Sequence, residues 1–281
     1  MASSFAPILV FVHTREKHFK NLINSLLTCK ESESTELFIS SDFYRNDHEK
    51  RSVESIRSYI DSIKGFKKIN RIYFDKNVGV EFASQFSINK VLENHESIII
   101  SEDDNLVSPL FLLYMNKMLD YYNNNKSVFS ISGFSSKILM RNYNYQKDEL
   151  YASNICNVWG WGTWKDRYEK YIEFRNSDKL YETLKNDLKN KSFNNKLKKV
   201  SITMLNNIYL SMYDNNIPSF DYLIGYYCTK YDYLNINNSN TYVLNFGHDG
   251  SGLNNLKNTR ISNRMQEVDF ASGIPETIPS P

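Results

Sequence analysis

A short apolar run that ends in three consecutive carboxylates constrains this chain more than any other feature. Residues 98–100 are three isoleucines, and Glu102, Asp103 and Asp104 follow them after one serine. The run predicts a buried strand, and ligands of open α/β sheets bind just outside the carboxyl ends of the strands. The acids therefore predict a divalent metal that holds a diphosphate. The ordinary alternative is an acidic turn in which Asp104 or Asn105 caps the next helix.

Strands and helices alternate along the first half of the chain. Further apolar runs occur at 8–12, 37–39, 69–74 and 127–132, and residues with helical spacing lie between most of them. Alternation of this kind predicts an α/β fold, Rossmann-like, with a mainly parallel, doubly wound sheet flanked by helices. The second half carries longer helical and loop-rich stretches, so we expect a helical and loop-rich C-terminal region.

Polar side chains follow several of the predicted strands at the point where each strand ends. They are His13, Thr14, Arg15, Asp42, residues 75–77 and the acids at 102–104. Because the carboxyl ends of parallel strands meet at one edge of a sheet, we expect these groups to converge. The chain has neither a Gly-x-Gly-x-x-Gly motif after its first strand nor a P-loop, which disfavours a dinucleotide oxidoreductase and a P-loop kinase. One arginine with scattered acids suits a nucleotide held partly through a bridging metal.

Composition excludes several classes of function. The 34 basic and 32 acidic side chains leave a formal net charge of +2, so no nucleic-acid partner is expected. No apolar run approaches the length of a membrane span. Cys29, Cys156 and Cys228 lie far apart and lack the spacing of metal ligands, so they are most simply the reduced thiols of a cytoplasmic protein.

Three tryptophans interleaved with glycines mark the segment at 158–164. Trp159, Trp161 and Trp164 fall within six residues. Glycine permits close approach of the backbone to a ligand, and an indole offers a flat apolar wall with one hydrogen-bond donor. The segment therefore predicts a sugar subsite, and the alternative is a packed turn that leads into the next helix.

The later part of the chain contains three further features with an ordinary and a functional interpretation. The lysine-rich stretch at 177–213 has helical spacing and is either a solvated helix face or a face against an anionic membrane surface. Asp221, just after Pro218, opens another predicted helix, where an acid is by default a favourable N-terminal charge. A loop at 245–252 is able to wrap a phosphate, and 271–281 has the composition of a flexible tail.

The order of five short segments resembles GT-A fold glycosyltransferases. The segments are 38–42, 101–104 with Pro109 and Phe111 beyond it, 159–164, 220–222 and 246–252. They are similar to bacterial sugar transferases of surface-polysaccharide pathways and, more distantly, to the N-acetylglucosaminyltransferase I family. The resemblance extends to about Gly252. It implies a nucleotide-sugar-binding half at 1–133, an acceptor-binding and catalytic half of the same domain at 134–255, and an extended tail at 256–281.

The resemblance also implies a set of donor-binding residues. By position, Arg15 and Asp42 would contact the nucleotide, and Asn77 would lie near the base or ribose. Asp103 would contact the donor, and Ser251 would touch the diphosphate. The residue at Asn77 and the loop after the first strand differ from those of the animal enzymes, and the Trp-Gly motif is the bacterial version, so neither the base nor the donor sugar is carried over.

Metal, base and acceptor residues follow from the same resemblance. Asp104 would ligate Mn²⁺ or Mg²⁺, and His248 would either match the C-terminal metal-binding histidine or only order its loop. Asp221 would match the catalytic base. A single base without an evident carboxylate nucleophile favours direct displacement with inversion, although a retaining reaction stays open. The three tryptophans would border the sugar and acceptor.

The function implied is metal-dependent transfer of a sugar from a nucleotide-sugar donor, with a UDP-sugar favoured. The acceptor would be a saccharide or lipid-linked saccharide in surface-polysaccharide or glycoconjugate synthesis. The protein would act in the cytoplasm, either free or peripherally at the inner face of the membrane. Two other classes stay open: a sugar nucleotidyltransferase, which usually has a glycine-rich basic loop that is absent here, and a non-catalytic sugar-binding module, which has no need of the acid cluster.

Overall fold

A computed structural model of the chain describes residues 5–135, 149–214, 216–251 and 270–275. The strands in these ranges are β1 (Ile8–Val12), β2 (Glu36–Ser41), β3 (Lys68–Tyr73), β4 (Ser97–Glu102), β5 (Asn105–Val107), β6 (Val128–Ser132), β7 (Leu150–Ser153), β8 (Trp161–Trp164), β9 (Leu234–Asn238) and β10 (Val243–Asn245). The helices are α1 (Glu16–Leu26), α2 (Asp47–Ser62), α3 (Val80–Leu92), α4 (Phe111–Tyr121), α5 (Lys165–Arg175), α6 (Leu180–Lys189), α7 (Lys191–Val200), α8 (Ile202–Tyr213) and α9 (Phe220–Lys230).

Eight of the strands form one sheet in the order β3-β2-β1-β4-β8-β6-β9-β7, and β5 pairs with β10 in a separate two-stranded sheet. Parallel pairing joins β1 to β2 and β4, β2 to β3, and β6 to β9. Antiparallel pairing joins β8 to both β4 and β6, and β7 to β9. The predicted α/β fold with a mainly parallel sheet flanked by helices is therefore confirmed.

Helices cover both faces of the large sheet, as the alternation of apolar side chains along β1 requires. Ile8 and Val10 face a core formed with α1, α2 and α4, whereas Leu9 faces a second core formed with α3 and α5–α9. Each fully buried aliphatic side chain of this kind contributes about 1.5–3 kcal/mol. The two cores together fix the position of the central strands β1 and β4.

The direction of winding reverses between β1 and β4. The chain builds outward from β1 to β2 and β3, and then returns to place β4 on the other side of β1, with Phe11 opposite Glu102. The crevice at the carboxyl ends of two such strands is where ligands of open α/β sheets bind. The small sheet brings β10 next to this crevice, because Asn245 of β10 pairs with Asn105, which directly follows the acids in the chain.

The tryptophan segment is mainly a strand, and two of its tryptophans belong to the core. Trp161 and Trp164 lie on β8, between β4 and β6, and are only 1% and 2% exposed. The Trp164 Nε1 donates a hydrogen bond to the Leu119 carbonyl oxygen (3.1 Å), and the Arg167 guanidinium lies 4.0 Å from the Trp164 ring centroid. The prediction that these two indoles border a sugar is therefore wrong, since both faces of this central strand are covered by helices.

The lysine-rich stretch folds as three short helices rather than one long one. The Asn190 side chain accepts from the backbone N–H groups of Ser192 and Phe193 at the start of α7, and the Ser201 side chain accepts from the N–H of Met204 at the start of α8. Both residue types are favoured helix N-caps because they satisfy otherwise unpaired N–H groups. The local sequence thus explains both breaks in the helical run.

Part of the predicted C-terminal tail is bound to the fold. Residues 256–269 and 276–281 lie outside the described residues, but 270–275 contact the segment before β10. The Ala271 N–H donates to the Thr241 carbonyl oxygen, and the Tyr242 hydroxyl donates to the Gly273 carbonyl oxygen, both at 2.7 Å. The division of the domain near residue 133 stays a prediction. No helix within the described ranges is long and apolar enough to cross a membrane.

Candidate active site

An arginine and two aspartates meet at the crevice between β1 and β4. Arg15 lies at the start of α1, directly after β1, and its Nη1 donates to Asp104 Oδ2 (2.8 Å) while its Nη2 donates to Asp103 Oδ1. The two carboxylate residues are 4% and 5% exposed. Charge-assisted hydrogen bonds in so dry a place are strong. The convergence expected from the strand ends is therefore present for Arg15, Asp103 and Asp104, but the acids are buried and do not lie on an open rim.

Negative charge exceeds positive charge in this cluster. Burial, and then the neighbouring Asp104 and Asp103, raise the pKa of Glu102 to about 8, although Arg15 opposes the change. Burial and then Asp104 also raise the pKa of Asp103 to about 6, although Arg15 opposes the change. Three carboxyl groups thus share one guanidinium, which is an arrangement that favours an additional cation.

The loop after β10 closes directly over Asp104. The Asn245 Nδ2 donates to Asp104 Oδ1 (2.9 Å), and the Phe246 N–H donates to the Asp104 carbonyl oxygen (2.9 Å). A Cβ atom on Gly247 would lie 2.1 Å from Asp104 Oδ2. Only glycine therefore allows this loop to approach the acid so closely.

His248 supplies one buried nitrogen that lacks a partner. Within the described part of the chain its Nε2 is buried and has no hydrogen-bond partner, and its ring lies against Trp159, with centroids 5.7 Å apart. An unpaired buried polar atom calls for an explanation such as an ion. Imidazole and carboxylate, with the surplus negative charge, are chemically suited to Mn²⁺ or Mg²⁺.

Asp104 and His248 do not form a complete metal site in this arrangement. No group of three or more His, Cys, Asp or Glu residues in the described ranges is placed to hold a metal ion. Arg15 donates to one carboxylate oxygen of Asp104 and Asn245 donates to the other, so each oxygen keeps one acceptor site. A cation bound there would lie beside the Arg15 guanidinium and compete with it for the Asp104 carboxylate.

A second polar group lies beside Arg15 and joins Ser251, which the motifs predicted as a donor-binding residue, to His18, which was not anticipated from the sequence. The His18 Nε2 lies 2.9 Å from Asp249 Oδ2 and 3.4 Å from the Ser251 hydroxyl, which itself donates to Asp249 Oδ1 (2.6 Å). The hydrogen bond from Ser251 is the main cause that lowers the pKa of Asp249 to about 2. His18 follows Arg15 by three residues, and that spacing on a helix places both on one face, which is the signal that could have identified it.

Asp42 and Asn77 meet as predicted, but the carboxylate of Asp42 is fully engaged. Its Oδ1 accepts from the N–H groups of Phe43 (2.7 Å) and Val78 (3.1 Å), and its Oδ2 accepts from the Asn77 Nδ2 and the Gly79 N–H, both at 3.0 Å. Four donors occupy the acceptor capacity of a carboxylate. In this arrangement Asp42 orders the loop that carries Asn77 and offers no free oxygen to a nucleotide, which corrects the expected direct contact.

Asp221 and Trp159 line one cavity. The cavity encloses about 190 Å³, and its lining includes Cys156, Asn157, Trp159, Ser201, Met204 and Asp221. The Ser219 hydroxyl donates to Asp221 Oδ1 (2.6 Å), and the other carboxylate oxygen has no hydrogen-bond partner among the described residues. Asp221 is also close enough to the acids to add to the raised pKa of Glu102. Of the three tryptophans, Trp159 alone lines this cavity.

A larger cavity, of about 300 Å³, lies elsewhere. Its lining combines Arg175, Asn176, Tyr181 and Leu184 with Ile217. None of the residues predicted for donor, metal or catalysis lines it, so its size does not make it the better candidate. The charged groups around Arg15 and Asp221 are therefore the better candidate for an active site.

Comparison with known proteins gives partial matches at the level of structure. No protein-family model matches the sequence, and no curated protein matches it. The Pyrobaculum calidifontis mannosyltransferase PcManGT, solved with GDP-Man and Mn²⁺, aligns with 81% of this chain and 69% of its own, at 9% identity and a TM-score of 0.45. GalNAc-T7, solved with UDP, GalNAc and Mn²⁺, aligns with 61% of this chain and 37% of its own, at 11% identity and a TM-score of 0.44.

The S. aureus protein TarS also matches. It aligns with 64% of this chain at 11% identity and a TM-score of 0.41, and the match covers 32% of TarS, so this chain spans about a third of that structure. The likeness to N-acetylglucosaminyltransferase I stays a prediction. At TM-scores below 0.5, the activity of this chain has to be inferred from the residues of its own crevice.

Proposed function

We propose that this chain is a glycosyltransferase that moves a sugar from a nucleotide-sugar donor, with a UDP-sugar favoured, to a saccharide acceptor of surface-polysaccharide or glycoconjugate synthesis. One observation carries the proposal: Arg15, Asp103 and Asp104 meet at the reversal point of the sheet, under a loop that only glycine permits. Such a crevice binds nucleotides in α/β folds. Asp221, whose charge adds to the raised pKa of Glu102, would serve as the catalytic base.

The donor half offers positive charge and hydrogen bonds to a diphosphate. Arg15 is able to present two parallel N–H donors of its guanidinium to phosphate oxygens. His18, one helical turn further along the chain, and Ser251 lie nearby, both hydrogen-bonded to Asp249, and would have to exchange that carboxylate for a phosphate. Asp104 and His248 would hold Mn²⁺ or Mg²⁺, whose charge stabilises the leaving diphosphate. Asp42 keeps Asn77 in place for contact with the base or ribose.

The acceptor half offers a base beside an apolar wall. Asp221, one of whose carboxylate oxygens has no hydrogen-bond partner among the described residues, lines the 190 Å³ cavity together with Trp159, and a carboxylate in that position can accept the proton of an acceptor hydroxyl as it attacks. The flat face of Trp159 suits the apolar face of a sugar. With one base and no second carboxylate at the cavity among the described residues, direct displacement with inversion is the reaction that we propose. Free, unpaired cysteines are in keeping with the cytoplasmic location predicted for such an enzyme.

The proposal is tested by Asp221→Asn, with Glu169→Gln as the matched control, since Glu169 is an exposed acid on α5. A panel of nucleotide sugars is screened for release of free nucleotide, with and without EDTA. Loss of a general base lowers the rate by about 10²–10⁴, so Asp221→Asn should bind nucleotide as wild type does and barely turn over, whereas Glu169→Gln should be fully active.

Three results would contradict the proposal. Full activity of Asp221→Asn would move the base to another acid. Undiminished activity in EDTA would exclude the metal. Release of diphosphate from a nucleoside triphosphate and sugar phosphate, with no turnover of any nucleotide sugar, would identify a nucleotidyltransferase instead.

A further inference from the structure

Helix α8 is apolar on two faces, and only one of them is covered. Met204, Leu205 and Ile208 are buried against the second core. The outer stripe, as we call the uncovered face, consists of Ile202, Tyr209, Leu210, Tyr213 and the following Ile217, which are 49%, 43%, 61%, 86% and 53% exposed. Steps of three, four and seven residues place the helical members of this set on one side of the helix. Single exposed apolar residues are ordinary, whereas a continuous set marks an interaction surface.

The two helices that precede this stripe in the chain are rich in lysine. Between residues 179 and 199 the chain has seven lysines against two acids, Glu182 and Asp187. Asp187 is already paired with Lys230 (2.6 Å). The lysine rim consists of Lys189, Lys191, Lys198 and Lys199, which are exposed and form no ion pair within the described part of the chain.

Hydrogen bonds hold the rim and the stripe together as one surface. The Tyr209 hydroxyl donates to the Leu188 carbonyl oxygen (3.2 Å) and accepts from the Asn194 Nδ2, which ties the stripe to the ends of α6 and α7 where Lys189 and Lys191 lie. The Tyr181 hydroxyl donates to the Met212 carbonyl oxygen (3.2 Å) at the other end of α8. The apolar and cationic groups therefore keep fixed positions relative to each other.

The surface is continuous with the cavity proposed for the acceptor. Val200, Ser201 and Met204 line that cavity beside Asp221, and Ile202, the first residue of the outer stripe, lies between them in the chain. Whatever binds the stripe is therefore held next to the proposed base.

We infer that the outer stripe and the lysine rim dock on an anionic lipid bilayer and present the Asp221 cavity to an acceptor attached to lipid. Exposed apolar side chains next to helices that carry unpaired lysines are complementary to acyl chains beneath negative head groups. A second copy of the chain is a less favourable partner for this surface. A two-fold interface would bring the lysine rims of both copies together, and like charges repel. The lipid-attached acceptor rests on the proposed function, whereas the docking itself does not.

The test is co-sedimentation of the full chain with vesicles, without donor or metal. Vesicles of phosphatidylcholine are compared with vesicles that contain phosphatidylglycerol, at low and high salt. The variants are Leu210→Ser with Tyr213→Ser for the stripe and Lys198→Gln with Lys199→Gln for the rim. Val80→Ser and Lys30→Gln with Lys64→Gln are matched controls, since these residues are exposed elsewhere.

Wild type and controls should sediment with the anionic vesicles only, and high salt should release them because it screens the lysines. Each lysine removed should weaken binding about fivefold, so the rim variant should bind about 25-fold more weakly. Equal binding to neutral vesicles, unchanged binding of the stripe variant, or a dimer in solution that the stripe variant abolishes would each overturn the inference. Nucleotide release with a soluble acceptor should be unaffected by the stripe variant, so failure of docking and failure of the proposed function are separate results.

Discussion

Removal of Arg15 is the sharpest test of the acid cluster, because this one side chain offsets two buried carboxylates. Arg15→Ala would leave Asp103 and Asp104, at 4% and 5% exposure, without their cation. Breaking a buried ion pair by removing one partner costs about 3–5 kcal/mol. Arg45→Ala is the matched control, because Arg45 pairs with Glu49 on the surface, four residues away; such an exposed pair contributes about 0.3–0.5 kcal/mol.

The measurement is the free energy of unfolding from urea titration at neutral pH. With equal slopes against urea, the shift of the midpoint reports the loss of stability. Arg15→Lys should lose less than Arg15→Ala, because a lysine keeps the charge but not the two-pronged contact. A loss for Arg15→Ala no greater than that for Arg45→Ala would refute the view that the guanidinium stabilises the acids.

Added Mn²⁺ extends the same experiment to the metal. If Arg15 competes with a cation for Asp104, Mn²⁺ at 100 times its Kd for Arg15→Ala should stabilise that variant by about 2.7 kcal/mol, and the same concentration should stabilise wild type by less. The double variant Arg15→Ala with Asp104→Asn is the control, and it should lose most of that gain. Equal stabilisation of all three proteins by Mn²⁺ would place any bound metal elsewhere.

Three further expectations concern the surroundings of the cluster. Gly247→Ala should weaken nucleotide binding measured by thermal shift, because the new Cβ would lie 2.1 Å from Asp104 Oδ2; unchanged binding would mean that the loop moves freely. Trp161→Ala should lower the free energy of unfolding by about 3–5 kcal/mol, whereas Trp159→Ala should mainly lower the rate of transfer; the reverse pattern would contradict their different burial. All three cysteines are buried, and burial raises the pKa of the Cys156 thiol to about 12, so thiol reagents should react at neutral pH only after unfolding.

Local patterns in the sequence were sufficient to predict the first half of the fold. Apolar runs and helical spacing correctly predicted β1 to β4 and the helices between them, because these elements form from neighbouring residues and bury their apolar faces in chain order. The same reasoning predicted that Arg15 and the acids at 102–104 would meet, since both follow strands of one parallel sheet. The sequence by itself therefore determined which charges enter the crevice.

Only the tertiary structure decided how those groups are used. β8 inserts antiparallel between β4 and β6, and no local pattern specifies such a distant pairing, so the burial of Trp161 and Trp164 could not be predicted. The engagement of Asp42 by the loop at 77–79 depends likewise on a contact across more than 30 residues. Burial also raised the pKa values of Glu102 and Asp103, and that burial is complete only when β10 and its loop pack over the acids. Strand propensity is a property of neighbouring residues, whereas exposure and pairing depend on segments that are distant in the chain.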